Sequence, residues 1–279
     1  MDENDNFLDA EGRIKKEVIK EGRSGRKAGL GWKCHVKLEV SVPSNINIDS
    51  DYKKENSLDI QIGNGNWFVD RMIEACLETM KLEEESNFTI PLTKAVDLNN
   101  PHDIEVKIVL ESAVERPYIF DWSEEDKIST ANDLKSQGVE LFKANRIRHA
   151  FHKFSKALKV VLLTDTVLKS DAEPSEELEN LRIALYNNMA GCQLHFKNYK
   201  YVIELCNKSL EIAQSLKAYY RRGLAFIELR EYEKAENDLI EVLKLEPKNK
   251  VALEKIHLVR SLDKDNRDNY TAIVKKMFL

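Results

Sequence analysis

The sequence predicts two domains of different class: an α+β domain built on an antiparallel sheet, followed by an all-α domain of helical repeats. Three observations carry this expectation. Residues 31–111 alternate apolar and polar side chains with period two, whereas from about Ser129 onward the period becomes 3.6. The second half also resembles itself at longer range. The length of 279 residues suits about two domains at roughly 150 residues each.

The elements follow in chain order. Val36–Val42 alternates strictly, as a half-buried strand requires, and Leu58–Ile62, Phe88–Ile90 and Ile104–Leu110 repeat the pattern. One helix interrupts them after Gly63-Asn64-Gly65, with Val69, Ile73, Cys76, Leu77 and Met80 on one face. Several short strands and one packed helix imply an antiparallel sheet covered on one side. The expected boundaries are a disordered N-terminus over 1–12, the sheet domain over 13–116, a linker over 117–128 (polar and acidic, FDWSEEDK at 120–127) and the repeat domain over 129–279.

Composition excludes several classes. Forty-three basic against 48 acidic side chains give a net charge of −5 and a pI near 5.8, so the chain as a whole is no basic nucleic-acid binder. Cys34, Cys76, Cys192 and Cys206 are widely spaced without a CxxC pair, which argues against a zinc ribbon or a disulfide framework and suits a reducing compartment. No run of 18 apolar residues and no signal-peptide stretch are present, so the expectation is a soluble intracellular protein, cytoplasmic with nuclear residence also compatible. No cofactor or metal is expected. His149 and His152 lack a clear third ligand and are expected on exposed surface. Gly63-Asn-Gly65 lacks a following GK[ST] and reads as a strand-to-helix turn. The basic stretch from Gly22 to Gly31 reads as a flexible linker, and Glu83-Glu84-Glu85 as a solvated turn.

Aligned on a small residue, the first repeat gives Leu134, Gly138, Leu141, Ala150, Phe154 and Ala157. The third gives Tyr219, Gly223, Phe226, Ala235, Leu239, Val242 and Pro247. The middle unit carries Tyr186, Ala190, Val202, Cys206 and Ser209. Small positions let two antiparallel helices approach, and large ones fill the space between neighbouring pairs. The pattern is identified as three tetratricopeptide repeats. Extra chain from about Thr164 to Glu179 is expected to lengthen the second helix and turn at Pro174, and residues 248–279 read as a capping helix.

A sheet domain, a short acidic linker and three such repeats together resemble the large FKBP-type immunophilins, over about residues 11–279. Leu58–Gly63, the helix ending at Met80 and Phe88–Ile90 look like the corresponding segments of that family, and Lys275–Phe278 adds to the likeness. Taken together, the chain is most similar to FKBP-like proteins whose isomerase domain has diverged. The family's isomerases twist a proline amide, against a barrier of about 18–20 kcal/mol, in a pocket walled by aromatic rings. The resemblance sets the pocket-floor tryptophan at Ile73, with Trp67 six residues earlier. Residues 43–57 offer only Tyr52 as an aromatic, and 91–103 offer none. Trp67, Phe68 and Tyr52 are expected as core or edge aromatics, the fold being kept without isomerase activity.

The resemblance also implies a peptide site. Tetratricopeptide domains that bind chaperone tails clamp the terminal carboxylates of an acidic peptide, and the pattern carries over to Lys135, Asn188, Lys217 and Arg221; Val139 stands where a second asparagine is usual. The residues argue the same way by themselves. Lys217 and Arg221, four apart, share a helix face near its N-terminus, where like charges repel and the dipole disfavours cations. Such a pair suits an anionic partner, arginine through its fork and lysine through a compact charge. Arg222 is expected to be exposed and outside the clamp. The expected function is a co-chaperone or adaptor for the C-terminal peptide of heat shock protein 90, or of the 70-class chaperone, with the sheet domain presenting a client. The alternatives are an active prolyl isomerase tethered to a chaperone, and a scaffold whose groove reads an internal motif.

Overall fold

The computed structural model describes residues 14–43, 48–52, 56–92, 103–167 and 175–277. The chain divides into two compact units between Trp122 and Ser123. The stretch 117–128, expected as a linker, holds a 3-10 turn at Ile119–Asp121 and the first residues of a long helix. The N-terminal residues 1–12 and Pro174 lie outside the described residues.

The first unit is a five-stranded antiparallel sheet in the order β1-β4-β5-β2-β3, with β1 Lys15–Lys20, β2 Lys33–Ser41, β3 Ser57–Gln61, β4 Glu85–Pro91 and β5 Asp103–Val114. Alternation puts Cys34, Val36, Leu38, Ile60, Phe88, Ile90, Ile104, Val106, Ile108 and Leu110 on one buried face. Helix α1, Phe68–Leu77, covers that face with Val69, Met72, Ile73, Cys76 and Leu77. Strand β1 was not legible in the sequence because all six of its residues are exposed. It is fastened by its ladder to β4 and by Lys16, whose Nζ lies 2.6 Å from Glu84 Oε1.

Three expectations for this unit are corrected. Glu84 is not solvated but buried, accepting from Lys16, the Lys81 amide and Ser86 Oγ. Although burial raises its pKa, those donors outweigh it and hold the carboxyl below its ordinary value. The basic stretch 22–31 is no flexible linker. Arg23 N donates to Leu82 O, Ala28 N to Met80 O and Gly31 N to Ile62 O, and Ala28 and Trp32 are buried. Met80 is buried but lies beyond the end of α1.

The second unit is all helical: α2 Glu124–Lys143, α3 Ile147–Val167, α4 Glu176–His195, α5 Tyr199–Ile212, α6 Leu216–Glu228, α7 Tyr232–Leu245 and α8 Lys250–Met277. Successive helices pack as antiparallel pairs, α2 with α3, α4 with α5 and α6 with α7. At the small position of the first pair, a Cβ on Gly138 would stand 2.6 Å from Phe154 Cε1, so the close approach requires glycine there. The turn inside each pair is the same. Asn145, Lys197 and Arg230 take φ of 59°, 58° and 62°. In each, the next residue's N–H closes a five-residue bond, Arg146 to Leu141 O, Asn198 to Gln193 O and Glu231 to Phe226 O. These are Schellman endings without glycine. They establish three equivalent units, the middle one included.

The interval between the first two of these turns exceeds that between the last two, 52 against 33 residues, and part of the excess is in α3, 21 residues long against 14 in α5 and α7. Helix α8 caps the stack by setting Ala252, Ile256 and Val259 against Phe226, Leu239 and Val242. His149 and His152 are half-buried rather than exposed, and the described residues contain no cluster of three metal-ligating side chains. Among the described residues no helix is long and apolar enough to cross a membrane.

Candidate peptide-binding site

Helix α4 packs against both α2 and α6, so the first helices of the three pairs lie side by side with α4 in the middle. The expected site residues sit on this row. Asn188 is half-buried on α4, and Gly191 follows it by three positions on the same helix face. The guanidinium of Arg221, from α6, lies against Gly191: a Cβ there would be 3.2 Å from Nη2. The guanidinium from α6 thus rests on the α4 backbone at Asn187 and Gly191, the stretch that contains Asn188. Lys217 is one turn before Arg221 on α6, exposed, with no side-chain partner among the described residues. Lys135, on α2, is half-buried and donates from Nζ to Asn132 Oδ1 at 2.7 Å, so its ammonium is turned to its own helix. Val139, four residues on, is half-buried on the same face.

The charges differ sharply between neighbours. Arg221 donates from Nη1 to the backbone oxygen of Asn187 at 2.5 Å and meets no carboxylate among the described residues. Burial pushes its pKa down. Arg222, by contrast, grips Asp238 with Nε and Nη2 at 2.9 and 2.7 Å and Asn207 with Nη1 at 2.7 Å. Its expected exposure is corrected, since the forked bond to Asp238 draws it into the layer between α5, α6 and α7. The N-termini differ too. Helices α2 and α4 each carry three acidic residues in their first turn and α6 carries none, with Lys217 in their place.

The sequence did not reveal Asn187. It is buried beside Asn188, donates from Nδ2 to Ser215 Oγ at 2.9 Å, and leaves Oδ1 without a hydrogen-bond partner among the described residues. Ser215 caps α6 by accepting from Ala218 N. Only the register Leu185-Tyr-Asn-Asn188 gave any signal for it, and that signal pointed to Asn188.

In the first unit, Ile73, expected at the register of the family's pocket-floor aromatic, is fully buried in the core. Tyr52 and Phe68 pack against that core, and Tyr52 Oη donates to Glu74 Oε1 at 2.9 Å. Burial and Glu74 push the Tyr52 phenol up. Trp67, at the N-cap of α1, gives its N–H to Asp70. The loop 91–103 lies almost entirely outside the described residues.

Comparison with known proteins agrees with this architecture. A tetratricopeptide repeat model matches residues 216–249. The chain is 28% identical over 272 residues to FK506-binding protein-like of Mus musculus, covering 96% of this chain and 72% of that one. It is also 28% identical over 154 residues to peptidyl-prolyl cis-trans isomerase FKBP4 of Rattus norvegicus, covering 54% of this chain and 33% of that one. The crystal structure of residues 1-211 of CG17282 shares the fold, with a TM-score of 0.55 at 22% identity over 70% of this chain and 95% of that one. With its five-stranded sheet domain followed by three helical repeats and a cap, the chain is similar to FKBP-type immunophilins that carry tetratricopeptide repeats.

Proposed function

We propose that this protein is a co-chaperone adaptor whose repeat domain captures the acidic C-terminal peptide of heat shock protein 90, while its sheet domain makes protein contacts without catalysing proline isomerisation. One observation carries the reading: Arg221 is a half-buried guanidinium that meets no carboxylate among the described residues and rests on α4 at Asn187 and Gly191, while the adjacent Arg222 is neutralised by Asp238. A cation withdrawn from water costs free energy unless an anion meets it, and a peptide's terminal carboxylate supplies that anion. Lys217 would add a mobile charge and Asn188 a neutral donor. Lys135 would join by leaving Asn132, and Val139 contributes no polar group, so the first helix of the clamp is its weaker side. The 70-class chaperone's tail, bearing the same chemistry, competes for the same residues.

The reading of the sheet domain rests on Ile73, whose aliphatic side chain sits inside the core and offers no aromatic floor. Tyr52, held by Glu74, is tied down at the edge of that core. The test is calorimetric titration with a peptide ending in Glu-Glu-Val-Asp. Binding at micromolar strength is expected, weakened several-fold by Lys217→Ala and by about tenfold or more by Arg221→Ala. Equal affinity in both variants and wild type refutes the clamp. An NMR exchange assay on a proline peptide addresses the sheet domain, where turnover at the level of an FKBP isomerase would overturn the non-catalytic reading.

A further inference from the structure

We infer that Arg221 is set for binding by a seat on α4 made of Gly191 and Asn187, and that both act as positioning residues for the clamp; the inference rests on the clamp reading above. A Cβ on Gly191 would lie 3.2 Å from Arg221 Nη2, 3.3 Å from Cζ and 3.4 Å from Nε. Three atoms of one planar group nearly equidistant from a single point place that point over the plane's face. The guanidinium therefore lies flat over the bare Cα of Gly191, with its Nε–Nη2 edge at that position. The other terminal nitrogen, Nη1, is used on the backbone oxygen of Asn187, four residues earlier in the same helix. The edge left over is the one that takes a carboxylate through two parallel bonds.

Two features make this a built seat. Gly191 lies inside a 20-residue helix, where glycine is unfavourable relative to alanine, so its presence needs a reason in space. The group occupying the space of its missing Cβ is Arg221. Asn187 holds the arrangement from the other side. It is 3% exposed, its carbonyl receives Arg221, and its Nδ2 donates to Ser215 Oγ, the hydroxyl that caps α6. One residue thus fixes both the start of α6 and the head of the arginine that α6 carries. A lysine at 221 would keep the charge but has neither the plane for Gly191 nor the fork for a carboxylate.

The test pairs affinity with a readout that needs no ligand. Gly191→Ala, Arg221→Ala and the double variant are titrated with the acidic free-carboxylate peptide, and the Arg221 Nε–Hε resonance is followed by NMR in the peptide-free full chain. Gly191→Ala is expected to weaken binding by about fivefold or more. It should add nothing in the Arg221→Ala background and should shift the resonance while helix content is kept. An unmoved resonance with unchanged affinity overturns the inference, as does a loss that persists in full in the Arg221→Ala background. A wild-type chain that binds no such peptide sinks the clamp reading instead, and the resonance still decides the seat. Should Gly191→Ala fail to fold, Ser215→Ala removes the Asn187 Nδ2 partner and carries the same test: the resonance is expected to shift, and an unmoved one overturns the inference.

Discussion

Arg221 and Arg222 are adjacent in the chain and face different company. Arg222 finds Asp238 and Asn207, 16 and 15 positions away, whereas Arg221 finds one backbone carbonyl. The contrast explains what could be read from the sequence here. The four-residue spacing of Lys217 and Arg221 lies within one helix and is legible, while the partner that removes Arg222 from the site comes from another helix and is not. Val139 marks the weak point of the proposed clamp. Val139→Asn should restore a donor beside Lys135 and tighten peptide binding by about two- to tenfold, the equivalent of one hydrogen bond. Calorimetry reads this directly, and an unchanged affinity would remove α2 from the site.

Asp70 is the other instructive residue. It is fully buried on α1, and desolvation raises its pKa even though Ser50 Oγ and the amides of Asp51, Tyr52 and Trp67 pull the other way. A carboxyl raised in the folded state contributes stability that is complete below its unfolded pKa of about 3.9 and is lost as pH rises through the folded value. Asp70→Asn removes that dependence. The urea midpoint of the sheet domain should therefore fall less in the variant than in wild type between acid and neutral pH. Parallel pH profiles would contradict the assignment.

At the scale of elements, the missed strand and the three turns show where pattern reading stops. Strand β1 has no buried side to alternate with, so period-two analysis is blind to it; its anchor is the contact of Lys16 with buried Glu84, which stands 68 positions further along. The same contact draws the middle residue of an apparently solvated acidic run into the interior, while Glu83 and Glu85 stay half-buried. The alternating strands β2 to β5 and the face of α1 were legible because one side of each is buried against the other. The turns within the repeats are uniform in shape and varied in sequence. Lys197 and Arg230 hold a left-handed conformation that side chains disfavour by about 1–2 kcal/mol. Lys197→Gly and Arg230→Gly should each stabilise the repeat domain by on the order of 0.5 kcal/mol after glycine's larger unfolded-state entropy is counted. Asn145→Gly should gain less, because asparagine tolerates that conformation. Denaturant unfolding followed by far-ultraviolet circular dichroism checks the order.

For the whole molecule, the division between Trp122 and Ser123 separates the tryptophans from the proposed clamp. All three tryptophans, Trp32, Trp67 and Trp122, lie in the first unit and all the proposed clamp residues in the second. Tryptophan fluorescence therefore follows the sheet domain while helical dichroism is dominated by the repeats, so the two probes report on different units of one chain. The repeat architecture was legible from its small and large positions, because Gly138 and Phe154 must touch whatever the surface does. The seat of Arg221 was not, because it depends on where a long side chain from one helix comes to rest on another. The most direct measurement of the central claim is titration of the full chain with the same acidic peptide as a free acid and as a C-terminal amide. Recognition of a chain end predicts micromolar binding of the acid and a loss of about tenfold or more for the amide; equal affinities would contradict it.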